Sequence, residues 1–411
     1  MMSAKQKEYV LLKRSLILGV KVLIEELIDI VQSELTTNPK KRIWVRKWLA
    51  RRSTHGASNM LLKELAIEDV QEYRNCMRMS PASFDVLLKK ISPAIQRSDT
   101  TMRMALPART KLEITLSYLA TGNSYRNLQQ QFRVSRPAIS KFIPEVCDAI
   151  YDALEDFIQV PKSNKEWKAI ESDFNHRWNF PGCYGAIDGK HILIRAPENC
   201  GSNFFNYKGQ NSIILMAIVD GNYNFIYIDV GYNGRASDGG VFAQCSIFAA
   251  LENNILPDGG FLVGDDAFPL KHYLLKPYSK NALTVDEKIF NYRLSRARRI
   301  VENGFGILVS RFRVFEKPIT CGLSSVDKIV RTCCALHNWL RCTTVNEYLP
   351  KGSVDEEDID QGRIILGSWR LEVAGLPSVS RIGSNHSSQF ARNLRDKYKH
   401  YFMTTFHGRN E

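Results

Sequence analysis

Residues 184–197 read YGAIDGKHILIRAP, an apolar strand with a charge driven through it. Tyr184, Ala186, Asp188, Lys190, Ile192 and Ile194 share one face by the two-residue period of a strand, which stands Asp188 among core residues. An ionised Asp in a buried strand is costly unless it is paired, hydrogen-bonded or metal-bound. The plainer alternative is an Asp that caps a turn at Gly189.

Downstream, SIILMAIVD (212–220) is a continuous apolar run, as expected of a strand covered on both faces. Gly221 and Asn222 supply a turn and FIYIDVGY (225–232) the next strand, so the three strands are expected to form an antiparallel meander. In NGRASDGG (233–240), Ser237 and Asp238 stand as caps of a helix from Val241 to about Leu251. After the breakers Pro257 to Gly260, FLVGDDAFPL (261–270) reads as a short strand ending at Asp265 and Asp266. Mixed α/β sheets place ligand sites at such carboxyl ends. Residues 291–315, NYRLSRARRIVENGFGILVSRFRVF, put Leu294, Ala297, Val301, Phe305 and Leu308 at helical spacing. Six arginines there accompany a single acid, Glu302. An Arg298–Glu302 pair one turn apart is its plainer reading, worth a few tenths of a kcal/mol.

Carboxylates on two strand ends and a helix make one chemical sense together. They can hold two Mg(II) or Mn(II) ions roughly 3.5–4 Å apart, one activating a nucleophile and one stabilising the leaving oxygen of a phosphodiester. Hard oxygen ligands suit those ions. AIDGKHI around Asp188, GDDAFPL around Asp265 and ARRIVENGFGILVSRFRVF around Glu302 resemble the three ordered motif blocks of PIF/Harbinger transposases and the Harbinger transposase-derived nucleases. The resemblance runs from about Ala105 to His337. It implies an RNase H-like α/β fold, a mixed sheet with flanking helices, and a DDE triad of Asp188, Asp265 and Glu302. Asp265 fits the family pattern better than Asp266, because the Gly-Asp pair there precedes a small residue and an aromatic. Asp238 resembles a fourth metal-site acid, though helix capping explains it nearly as well.

The chain has 411 residues, net charge +13, pI near 9.2 and 44% hydrophobic residues, which favours a polyanionic partner and supports a real core. No run of 18 apolar residues occurs, so neither a membrane span nor a signal peptide is expected and an intracellular location is, in the nucleus or also in the cytoplasm. Nine scattered cysteines without a CxxC pair point to reduced, buried thiols.

Four regions are expected: a basic helical arm (1–60), an all-α region with a helix-turn-helix (61–159), the RNase H-like domain (160–345) and a partly disordered tail (346–411). Residues 40–52, KKRIWVRKWLARR, offer a DNA-backbone contact, a nuclear localisation signal or simply a solvated basic face. Between Leu112 and Val146 a helix should end near Gly122, Ser124 should cap a short helix to about Gln131, and Ser135 another opening with Pro137. Arg126, Arg133, Arg136 and Lys141 line this helix-turn-helix without an acid between them, as a double-stranded DNA contact would require; chance basic residues on packed helices are the alternative. His337 reads as a packing histidine, and the acidic run 355–360 as a solvated linker.

Two function classes follow. One is a metal-dependent DNA endonuclease or transposase using the DDE acids. The other is a domesticated DNA-binding or adaptor protein that keeps the fold without the chemistry. The family resemblance also implies a Myb-like DNA-binding partner, and a homodimer is among the expected assemblies.

Overall fold

The protein is described by a computed structural model covering residues 4–36, 45–101, 104–279, 282–358, 363–379 and 387–407. It divides into two compact units, Met1–Arg51 and Arg52–Glu411. In the first, a 33-residue helix, Ala4–Thr36, is followed by a turn, Lys47–Ala50. Residues 40–44 of the basic run lie outside the described residues.

The second unit opens with helices Leu61–Glu68, Val70–Met77, Pro81–Ile95, Ala108–Thr121, Tyr125–Phe132 and Arg136–Leu154. The breaks come where the local chemistry places them. Gly122 takes a left-handed conformation (φ 61°) to end its helix, and the Ser124 hydroxyl accepts the Asn127 N–H at 3.3 Å to start the next. Pro137 lies in the first turn of the last helix, where its missing N–H costs nothing. Buried Leu128, Phe132, Ile139 and Ile143 join these helices to the core. Pro93 lies inside its helix, which runs from Pro81 to Ile95.

A five-stranded sheet follows: β1 (Cys183–Leu193), β2 (Ser212–Val219), β3 (Phe225–Asn233), β4 (Phe261–Val263) and β5 (Leu274–Leu275). The spatial order is β3-β2-β1-β4-β5, with β1–β3 an antiparallel meander and β4 and β5 parallel to β1. This is the RNase H-like arrangement. Every residue of β2 is buried, which explains its unbroken apolar run. At two residues, β5 is too short to show a period in sequence.

Two helices differ from the sequence expectation. Val241 to Leu251 is split into Asp238–Phe242 and Ser246–Glu252, and the break brings Phe242 edge-on to Phe248 at 5.4 Å and to Phe268 at 5.7 Å. The helix bearing Glu302 starts at Val285 rather than Asn291, because Thr284 and Glu287 form a reciprocal capping box.

Helix Leu323–Thr343 ties the helical region to the sheet: the Thr332 hydroxyl donates to the Cys147 carbonyl at 2.9 Å, and Asn338 bonds both backbone groups of Phe225. His337 is fully buried, 2.8 Å from the Tyr223 carbonyl and 2.9 Å from the Tyr348 hydroxyl, and burial lowers its pKa to about 4. It is a neutral packing histidine.

The described parts of the tail pack on this unit. A hairpin, β6 (Glu356–Asp358) with β7 (Arg363–Ile365), leads to a helical turn, Trp369–Glu372, and a last helix, Gln389–His407. Asp355, first residue of the supposedly solvated acidic run, is 2% exposed and accepts from both Nε and Nη2 of Arg370. A linker reading fails there because the acid is itself buried and paired with an arginine 15 residues downstream.

Candidate metal centre

Asp188 enters from the middle of β1, Asp265 from the loop just after β4, and Asp238 from the first turn of its short helix. They are 2%, 8% and 1% exposed, and each offers an oxygen within 4.8 Å of those of the other two. Sheet order explains the convergence, since β1 and β4 are neighbours and Ala186 pairs with Val263. Gly189 explains the third acid: a Cβ there would stand 2.1 Å from Asp238 Oδ1, so only glycine lets that carboxylate approach β1 so closely. The strand runs straight through Asp188 and Gly189, so no turn is capped there.

Charge within the cluster is poorly balanced. Lys190 Nζ lies 2.8 Å from Asp188 Oδ2 and donates to the Ser378 hydroxyl at 2.8 Å. Burial disfavours the Lys190 ammonium, but the Asp188 carboxylate outweighs it and the pKa is raised. Asp265 Oδ1 accepts the Ala267 N–H at 2.9 Å. Both oxygens of Asp238 are buried without a hydrogen-bond partner. Desolvation, then Asp188 and Asp265, push its pKa up to about 9. Three hard oxygen donors, one with two orphaned atoms, fit a divalent cation. Asp266 turns instead to Lys276, at 3.4 Å.

Glu302 does not enter this group of mutually close oxygens. Its carboxylate, 40% exposed, lies 3.7 Å from Arg298 and 4.0 Å from Arg370. It lines a cavity of about 360 Å³ together with Lys190, Phe305, Trp369 and Arg370. The tail forms one wall of that cavity. The Trp369 indole donates to Asn303 at 2.9 Å, and a Cβ at Gly306 would stand 2.3 Å from the same ring. The stretch Glu302–Gly306 is therefore where the tail docks: Glu302 meets Arg370, Asn303 bonds Trp369 and Gly306 makes room. Beyond it, the His191 N–H donates to the Pro377 carbonyl at 2.9 Å. Sequence reasoning missed Lys190 as the partner of Asp188, although two-residue spacing on one strand face signals it. Nothing in the sequence pointed to Trp369 or Arg370.

In the helical region Arg126, Arg136 and Lys141 are exposed, while Arg133 takes a left-handed conformation (φ 53°) and its Nε donates to the His55 carbonyl at 3.2 Å. Arg133 thus closes the turn between two helices, unlike the other three.

Residues 187–338 match the DDE superfamily endonuclease family. "Putative nuclease HARBI1" of Homo sapiens is 25% identical over 288 residues, which is 69% of this chain and 82% of that protein. The Rattus norvegicus protein of the same name is 25% identical over 292 residues with the same shares. "Protein ALP1-like" of Arabidopsis thaliana is 23% identical over 294 residues, 66% of this chain and 70% of that protein. No solved structure gives a significant match. The segment that builds the acidic cluster thus lies within the match to the DDE superfamily endonuclease model, and the chain is similar to proteins named as putative nucleases.

Proposed function

We propose that the protein cleaves DNA phosphodiester bonds in a reaction dependent on Mg(II) or Mn(II), with Asp188, Asp238 and Asp265 as metal ligands and Glu302 as the further acid of the DDE set. The observation that carries this reading is the convergence of three acids within 4.8 Å, one with both oxygens buried and unpartnered. A bound divalent ion supplies charge neutralisation at the phosphate and a more acidic attacking water. Lys190 fixes the Asp188 carboxylate, Gly189 admits Asp238, and the Ala267 N–H orients Asp265. Exposed Arg126, Arg136 and Lys141 supply positive charge suited to duplex phosphates.

The test is nicking of supercoiled plasmid by the full chain with Mg(II), Mn(II) or EDTA. Wild type should nick only with metal, and Asp265→Asn should lose activity by orders of magnitude. Metal-independent nicking, or equal rates for Asp265→Asn, would refute the proposal.

One observation favours a second reading, a DNA-binding or adaptor protein without catalysis: Glu302 is held by Arg298 and Arg370, outside the cluster. DNA retention by wild type with no nicking under any metal condition would select it.

A further inference from the structure

The helix Ala4–Thr36 has no polar face in the ordinary sense. Every residue from Ala4 to Gln32 is exposed, including Leu11 (66%), Leu16 (71%), Leu18 (66%) and Leu23 (59%). Apolar surface of this extent on an exposed helix normally meets a partner. Among the described residues no helix is long and apolar enough to cross a membrane.

Its charges are segregated. Residues 4–21 carry Lys5, Lys7, Lys13, Arg14 and Lys21 against one acid, Glu8, for a net +4. Residues 22–36 carry Glu25, Glu26, Asp29 and Glu34 with no base, for a net −4. A lone helix prefers the reverse, acids at its N-terminus and bases at its C-terminus, so this arrangement works against the helix's own dipole. It suits a neighbour of opposite direction. A second copy laid antiparallel sets each basic half along an acidic half and opposes the two dipoles, whereas a parallel copy sets like charge on like. An apolar seam is present as well: Val10, Ile17, Ile24 and Val31 recur every seven residues, with Val20 and Leu27 three positions after Ile17 and Ile24. At about 1.5 Å per residue, the helix is roughly 50 Å long, enough for a stable two-helix contact.

We propose that Ala4–Thr36 is a self-association element, in which the helices of two copies of this chain pair antiparallel. The pairing is independent of the reading of the acidic cluster.

The test is the mass of the full chain in solution, by size exclusion with light scattering, at low and high salt. Wild type should run at twice the chain mass. The variant E25K/E26K/D29K makes both halves basic and should weaken association at least tenfold. K13E/R14E/K21E should do the same. Combining all six restores opposite-sign halves and should restore the dimer. Unfolding of the remainder of the chain, followed by near-ultraviolet circular dichroism, should be the same in all four proteins. A monomeric wild type would overturn the proposal and leave the helix to an unrelated partner. Triple variants that associate as wild type does, or a sixfold variant that stays monomeric, would overturn the antiparallel charge pairing.

Discussion

Lys190 Nζ stands 2.8 Å from Asp188 Oδ2, the two side chains rising from one face of β1 with only Gly189 between them in sequence. The base of this pair sits inside the acidic cluster and neutralises one of its three carboxylates. Both members are buried, so removing either leaves an uncompensated charge in a low-dielectric site. Lys190→Met should therefore destabilise the metal-free protein by about 3 kcal/mol, and Asp188→Asn by a comparable amount. The double variant should recover most of the loss. Denaturant unfolding in EDTA checks this, and additive single effects would show that the pair is not coupled.

Asp238 is the opposite case. It has no hydrogen-bond partner, and burial, with two neighbouring carboxylates behind it, raises its pKa to about 9. The cost of burying charge in the cluster thus falls on this unpartnered residue. Asp238→Asn should stabilise the protein in EDTA by on the order of 2 kcal/mol at neutral pH and so raise its thermal midpoint. Wild type should gain further stability on adding Mn(II), and the variant should gain little. A variant whose midpoint falls in EDTA, or rises with Mn(II) as wild type does, contradicts the assignment.

These two predictions show how far the sequence reaches. Three strands, the acids at 188 and 265 and the helix carrying Glu302 are legible because the pattern is local: period two, breakers, period near 3.6. Distance is not legible. Asp238 looks like a helix cap from its neighbours alone, and only the Gly189 gap shows why its carboxylate turns to β1. Glu302 looks equivalent to the two aspartates in its motif, yet its helix faces a tail whose Arg370 lies 68 positions on, a contact no short window reports.

That tail contact has its own consequence. Trp369 is 8% exposed, bonded to Asn303, and fits only because position 306 lacks a Cβ. Trp369→Ala should cost about 3–5 kcal/mol if the tail unfolds with the core. Gly306→Ala should expel the indole while leaving the helix itself intact. Limited proteolysis reads both: cleavage between residues 350 and 379 should accelerate in each variant. Unchanged cleavage would mean that the indole does not anchor the tail.

A buried acid far from the cluster sets a pH dependence. Glu113, 2% exposed in the helix Ala108–Thr121, has its pKa raised to about 7, first by desolvation; the Ser58 hydroxyl and the Arg109 charge offset this only in part. The sign follows from comparing states. Below the unfolded value near 4.5 both states hold the proton, and Glu113 contributes no pH dependence. Between about 4.5 and 7 the unfolded chain loses the proton while the folded one keeps it, so stability falls as pH rises. Above 7 the loss is complete, at up to about 3 kcal/mol. Glu113→Gln keeps the size and a neutral acceptor and removes the titration. It should stabilise the protein at pH 8, and the difference from wild type should shrink steadily and vanish by pH 4.5. Denaturant midpoints at pH 4.5, 6 and 8 decide the point. A constant difference across that range would assign the effect to packing, and a loss of stability at pH 8 would show that the folded protein holds the carboxylate ionised at a net gain.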